Sequence, residues 1–222
     1  MAGTLEDIDK KQTELIRKVQ AAAIFLAAPG TEVPTKFTTG ASPVLDALPV
    51  AYNPVGLVTK DDAYTWSRAV DMAETTSHGY VDPTRRDITS NVSSLAFTAQ
   101  ETSRPVLESY HNLDLSGVTA DATTGEFTFA DPLQAQTRYP RLIGIGRDGI
   151  GASAIYIIRI MPRAILSEPG DQNWSDTAEL GYPMTFTATP DTALGYSMRY
   201  VFGGPGWKAL LTKMGIATTA GP

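Results

Sequence analysis

Apolar and polar residues alternate most cleanly near the end of the chain. Tyr182, Met184, Phe186 and Ala188 are separated by a proline and two threonines. A period of two is typical of an antiparallel strand with one buried face and one face toward solvent. We therefore predict a half-exposed antiparallel strand over residues 182–188.

The longest strand-like segment is Arg86–Glu101. Ile88 and Val92 fall on one face at a period of two, whereas Leu95, Phe97 and Ala99 fall on the other. The change of phase near Ser93-Ser94 predicts a bulge or a change of the buried side. At ~3.3 Å per residue the segment would span roughly 50 Å. We expect so long a strand to leave its own domain and pair elsewhere.

The most apolar region predicts a hairpin. Tyr139–Arg147 and Ala152–Leu166 read as strands, and an Asp-Gly pair between them is a good turn signal. Residues 154–160 are apolar on both faces apart from Arg159, which predicts a central strand covered on both sides. Pro162 then indicates an edge or a bulge.

The remaining elements are shorter. A helix is expected from Arg104 to Asn112, with Ser103 as its cap and Pro105 in its first turn. A second, closing helix is expected at Trp207–Met214. Short strands are expected at Val55–Thr59, from Tyr64 to Trp66, at Glu74–Tyr80, at Glu126–Ala130 and at Tyr196–Phe202.

The first 54 residues look different from the rest. Leu5–Ala28 has roughly helical spacing of apolar residues, although Ala21–Leu26 fits a strand equally well. Thr31–Pro54 contains four prolines and predicts an extended arm. We therefore expect residues 1–54 to form a helix-like segment and arm, and residues 55–222 to form a β domain.

Composition supports a turn-rich β protein with a packed core. The chain has 19 glycines and 15 prolines, and 42% of its residues are hydrophobic. It has no cysteine, which excludes disulfides, thiolate metal sites and cysteine nucleophiles. A net charge of −6 argues against a general nucleic-acid-binding surface, which is usually basic.

No motif predicts catalysis, a metal or a cofactor. The two histidines, His78 and His111, lack the spacing of zinc ligands. G-x-S-x-G, S-x-x-K and phosphate-binding glycine motifs are absent. A glycosidase pair of carboxylates depends on distances that a sequence does not show. The apolar run Ala21–Ala28 is too short to span a bilayer, and four acids precede it, so we expect neither a signal peptide nor membrane insertion.

Charges fall into blocks. Residues 139–163 hold four arginines and one acid, whereas residues 164–197 and 113–136 hold acids and no base. The blocks could be complementary surfaces for head-to-tail assembly, or they could be ordinary solvated turns. Sequence leaves both readings open.

Five stretches in order resemble the major tail tube proteins of long-tailed bacteriophages, particularly those of actinobacteria. They are Pro54–Asp62, Pro83–Thr89, Leu95–Arg104, Tyr182–Ala188 and Phe202–Trp207. No one stretch is specific, but their number and order cover nearly the whole chain.

The resemblance implies a mainly β fold, a β-sandwich or barrel with a flanking helix. Long hairpins of each subunit would join those of its neighbours in a barrel around a channel. Rings, usually of six subunits, would stack into the tail tube of the virion, assembled in the host cytoplasm. The tube would surround the tape measure protein, meet the tail terminator and distal tail proteins, and conduct DNA without binding it specifically. Some relatives carry a further immunoglobulin-like domain, which we do not expect here.

Two sets of residues become candidates for assembly contacts on this basis. The long strands supply the expected inter-subunit channel residues, which are Ile88, Val92, Leu95, Phe97, Ile155, Ile157 and Arg159. The arm supplies the expected ring-to-ring contacts, which are Phe37, Val44, Leu48 and Tyr52.

Two other functions stay open. A different tail ring protein, such as a terminator, would share the architecture. A β-sandwich binding or adhesion module would need an aromatic platform, for which Trp66, Trp174 and Trp207 are widely dispersed in the sequence.

Overall fold

The computed structural model describes residues 5, 9–60, 63–134 and 136–218. Across these residues the chain is mainly β. The strands are β1 Ala21–Ala27, β2 Thr38–Thr39, β3 Val44–Leu45, β4 Asn53–Pro54, β5 Thr65–Thr75, β6 Arg85–Ala99, β7 Arg141–Asp148, β8 Ile155–Met161, β9 Ala164–Pro169, β10 Tyr182–Ala188 and β11 Arg199–Gly203. The α-helices are α1 Arg104–Tyr110 and α2 Pro205–Leu210, and 3-10 turns lie at Thr13–Leu15 and Gly151–Ser153.

The strands form two main sheets. The five-stranded sheet has the order β11-β8-β7-β1-β4, and the four-stranded sheet has the order β5-β6-β10-β9. Every pairing in both sheets is antiparallel. The two short strands β2 and β3 make a separate small hairpin.

One apolar cluster joins the two sheets. Ile24 and Leu142 of the five-stranded sheet pack in the same cluster as Leu95, Phe97 and Phe186 of the four-stranded sheet. The rings of Phe97 and Phe186 stack with their centroids 6.0 Å apart. The predicted alternation in β10 is confirmed, because its residues are alternately buried and half-buried.

A second apolar cluster covers the other face of the five-stranded sheet. It joins Ile143, Ile158 and Ile160 of the sheet to Phe37 and Tyr52 of the arm. The prediction that Ala154–Ile160 is central and covered on both sides is therefore confirmed. Residues 21–54 share their core with the rest of the chain.

The N-terminal helix prediction is wrong over most of its described length. Ala21–Ala27 is strand β1, which lies between β7 and β4, and only Thr13–Leu15 forms a short 3-10 turn. Because both faces of β1 meet apolar neighbours, its sequence carries no period of two, and the alanine-rich run looked helical. The alternative strand reading of Ala21–Leu26 is the correct one.

The predicted strand Ala152–Leu166 is two strands in different sheets. After a 3-10 turn at Gly151–Ser153, β8 ends at Met161, the chain turns at Pro162-Arg163, and β9 begins at Ala164 in the other sheet. Proline cannot donate a backbone hydrogen bond to a ladder, so it suits this corner.

The other predictions have mixed outcomes. The helix after Ser103 is confirmed as α1, whereas the closing helix begins earlier than expected, at Pro205. Glu126–Ala130 is not a strand. The two strands expected at Tyr64 and at Glu74–Tyr80 are in fact one long strand, β5.

Candidate assembly surface

The hairpin of β5 and β6 extends well past the rest of its sheet. β6 pairs with β10 only from Ser94 to Ala99, whereas its pairing with β5 continues to Arg85. We call the projecting part, residues 67–75 and 85–92, the ribbon. All its residues except Ser90 are exposed. The predicted long strand at Arg86–Glu101 is thus confirmed as β6, Arg85–Ala99.

A bulge decides which ribbon residues share a face. Asp71 pairs with Ser90 and Met72 with Ile88, so Thr89 is the extra residue. Sequence predicted a phase change, but near Ser93-Ser94. Because of the bulge, Ile88 returns to the face that carries Leu95, while Val92 stays on the opposite face.

The ribbon exposes large apolar side chains. Val70, Met72 and Ile88 lie on the face that continues from the core and are 37%, 57% and 67% exposed. Val92, on the other face, is 38% exposed. Val70 and Met72 were not among the predicted contact residues, although their period-two spacing from Trp66 is a strand signal.

Side-chain contacts add little to the backbone ladder that joins the two strands of the ribbon. Arg86 contacts Glu74 at 2.8 Å and Arg68 donates to the Asn91 side chain at 2.8 Å across the strands, whereas Arg85 contacts Asp87 at 2.7 Å within β6. Exposed ion pairs contribute about 0–1 kcal/mol each. A two-stranded hairpin is marginally stable by itself in water, so this surface favours contact with a further protein layer.

Leu95 and Phe97 lie at the other end of β6, in the core. They are 0% and 3% exposed and pack within their own subunit. Of the four candidates on this strand, Ile88 and Val92 are therefore the ones placed where a neighbour could reach them.

The three candidate channel residues on β8 lie on a strand that is paired along both of its edges. β8 pairs with β7 on one side and β11 on the other, so its backbone has no edge to offer a neighbour. Ile155, Ile157 and Arg159 were expected as inter-subunit channel residues, and here they lie on a strand whose two neighbours belong to the same subunit. Ile155 is buried, and the Arg159 guanidinium lies 5.0 Å from the Trp66 ring centroid and 5.8 Å from that of Tyr200.

The arm packs on its own subunit. Phe37 and Tyr52 are 2% and 5% exposed in the second cluster, and Leu48 packs against that cluster. Tyr52 donates to the Glu32 carbonyl at 3.0 Å, and burial raises the pKa of Tyr52 to about 12. Phe37 and Tyr52 are thus unavailable to another ring in this conformation. Val44 is 58% exposed, so it remains accessible to another ring, and the ring-to-ring contact stays a prediction for this residue.

The opposed charge blocks meet partly within one subunit. Arg141 pairs with Asp191, and the side chains of both are nearly buried. Their hydrogen bond is the main reason why the pKa of Asp191 lies below its usual value. Arg163 stacks 3.8 Å from the ring centroid of Tyr139. These two arginines of the basic block are engaged inside the fold.

Among the described residues, no group of three or more histidines and carboxylates is close enough to hold a metal ion. A groove of about 670 Å³ between the sheets is lined by Trp66, Gly144 and Arg159 among others, and its described lining includes no carboxylate. None of the helices described is long and apolar enough to cross a bilayer.

A family model described as "Phage tail tube protein" matches residues 11–201. The match spans the ribbon, both sheets and the arm. The chain belongs to the phage tail tube protein family. Tail tube proteins are structural components of the virion tail and not enzymes. The family match confirms the resemblance to phage tail tube proteins.

A search of curated proteins found no match. Among solved structures, a chain of the anti-feeding prophage baseplate, solved by cryo-EM with 6-fold symmetrisation, is similar with a TM-score of 0.39 and 8% identity. The alignment covers 83% of this chain and 93% of that one.

Proposed function

We propose that this tail tube protein assembles into stacked rings of six subunits that form the conduit for DNA. The rings would close around the tape measure protein during assembly in the host cytoplasm. The tail terminator and distal tail proteins would meet the two ends of the stack. Family membership supports the tail role, and the ribbon supports assembly through hairpins.

The exposed ribbon carries this proposal. Its two strands present apolar side chains on both faces, and no described part of the same subunit covers them. Long exposed strand edges are a liability for a protein that acts as a monomer. Burial between subunits removes that liability and stabilises the hairpin, at about 25 cal/mol per Å² of apolar surface.

The test compares two double variants by negative-stain electron microscopy. M72D/I88D adds two carboxylates to the ribbon. V50D/L133D adds the same charge at two apolar residues that are fully exposed elsewhere. We expect both unassembled proteins to melt like the wild type, because none of the four side chains is buried. We expect tubes from the wild type and V50D/L133D, and none from M72D/I88D.

Other outcomes are equally informative. Tubes from M72D/I88D would show that the ribbon is not an assembly contact. Single rings that never stack would favour a terminator role. A wild-type protein that stays monomeric at every concentration, even with tail extract as an initiator, would contradict the proposed function.

A further inference from the structure

Arg159 is a half-buried cation with no described anion beside it. Its guanidinium lies 5.0 Å from the ring centroid of Trp66 and 5.8 Å from that of Tyr200. Among the described residues, no carboxylate forms an ion pair with it. A charge withdrawn from water is costly unless an opposite charge accompanies it. The position therefore suits a carboxylate that arrives from outside the subunit.

The groove that Arg159 lines has room for a large side chain. It measures about 670 Å³, within the range of binding sites in proteins. Tyr64 and Trp66 give it aromatic walls, and Gly144 leaves part of its floor without a side chain. Lys60 adds a second cation, and the described lining has no acid. Such a groove would accept an apolar group with negative charge next to it.

The groove opens at one side of the sandwich. Trp66 lies on β5 and Tyr200 on β11, and these are the terminal strands of the two sheets. The opposite side ends in β9 and β4, where Leu166 and Asn53 border a different groove. A head-to-tail contact brings one side of a subunit against the opposite side of the next. An occupant from a second copy of the chain should therefore lie near β9.

The connection from β9 to β10, residues 170–181, has the required chemistry. Its Trp174 is 87% exposed, and it carries Asp171 and Asp176 in a stretch, residues 164–197, that holds no base. Neither of these two aspartates forms an ion pair with a described residue. Tryptophan and arginine are the residues that most often dominate the energy of protein interfaces.

We propose, resting on the function above, that residues 170–181 of one subunit dock in this groove of the next subunit. Trp174 enters the groove, and the carboxylates of Asp171 and Asp176 face the guanidinium of Arg159. An unpaired part of the basic block thus meets the acidic block of a neighbour. The contact does not involve the ribbon, so each surface can be tested without changing the other.

A charge exchange followed by negative-stain electron microscopy tests this contact. R159E and D171K/D176K each place like charges on the two sides of the contact. An equal mixture of them restores opposite charges wherever the two variants alternate, as they can in a ring of six. E126K/D131K is the matched control, because it makes the same change at two exposed acids of the other acid-only stretch.

The anchor is tested by W174A, with L133A as its control because Leu133 is also fully exposed on a loop. We expect tubes from the wild type and both controls. We expect R159E, D171K/D176K and W174A to need at least about tenfold more protein to assemble. The equal mixture of R159E and D171K/D176K should assemble within about threefold of the wild-type concentration.

Assembly of D171K/D176K or W174A at the concentration of its control would overturn the proposal. A mixture that assembles no better than its components would overturn it as well. If R159E melts early by itself, D171K/D176K and W174A decide the question, because their altered side chains are exposed. A wild type that forms no tubes would contradict the proposed function itself, and this contact with it.

Discussion

Gly144 and Gly146 form a natural pair for testing how the two sheets pack. Both lie on β7 and face the groove beside the four-stranded sheet. A Cβ atom at Gly144 would lie 2.6 Å from Cζ2 of Trp66 and 3.0 Å from Cδ1 of Ile24. A Cβ atom at Gly146 would lie 3.0 Å from Cγ1 of Val19, on the exposed N-terminal segment.

The two alanine variants should therefore differ in stability. Replacing glycine with alanine in a strand lowers the conformational-entropy cost of folding by about 0.5–1 kcal/mol. Both G144A and G146A should gain this stabilisation. At Gly144 the Trp66 ring must move against the core, and overpacking of this kind costs about 1–3 kcal/mol. Val19 is 49% exposed and can turn away. We expect G144A to be less stable than G146A by about 1–3 kcal/mol.

Urea unfolding of the unassembled subunit, followed by circular dichroism, measures this difference. A third comparison tests the contribution of the Trp66 indole. In a W66L background, G144A should lower the free energy of unfolding by no more than G146A does in the wild type. Equal stability of G144A and G146A would refute the packing argument. So would a cost at Gly144 that persists without the Trp66 ring.

Two further predictions concern the arm and the internal ion pair. F37A should destabilise the unassembled subunit by about 3–5 kcal/mol because Phe37 is buried in its own core, whereas V44A should stay within about 0.5 kcal/mol in the same melt; equal effects would contradict the arm's placement. The lowered pKa of Asp191 means that its bond with Arg141 stabilises the fold above the ordinary aspartate pKa and is lost as the pH falls below about 4. D191N should therefore melt below the wild type at pH 7, and the gap should close towards pH 2; a gap independent of pH would refute this.

Sequence predicted the parts of the fold in which one face is buried and the other is not. β10 shows this, because its threonines alternate with core residues from Tyr182 to Ala188. Strand β6 was found for the same reason. Its bulge was displaced by several residues because serine, threonine and asparagine around it give no sign of which face they occupy.

The errors arise where burial depends on distant parts of the chain. β1 is covered on both faces, by the arm and by the four-stranded sheet, and neither partner is adjacent in sequence. Phe37 and Tyr52 also pack against strands that are distant in sequence, whereas the prolines around them predicted only an extended arm. The single strand predicted over Ala152–Leu166 was wrong because β8 and β9, on either side of Pro162, looked like one strand.

The candidate assembly surface was only half predicted. Ile88 and Val92 lie on the ribbon, but their partners on β5 were assigned to two separate short strands. Strand edges, and the direction in which each edge runs, follow from the order of strands in a sheet. That order is a property of the folded chain, so the sequence did not show which strands form the edges.

The corner at Pro162-Arg163 has a mechanical consequence. The backbone N–H of Ala164 bonds to the Pro140 carbonyl at 3.0 Å, and that of Thr189 bonds to the Arg163 carbonyl at 2.8 Å. The Arg141 guanidinium also donates to the Pro162 carbonyl. A force applied along one sheet is therefore transmitted to the other through Pro162-Arg163, a short covalent link that is hydrogen-bonded to residues beside both sheets. In a tail under axial load, the two layers of each subunit would stretch together and not slide past one another.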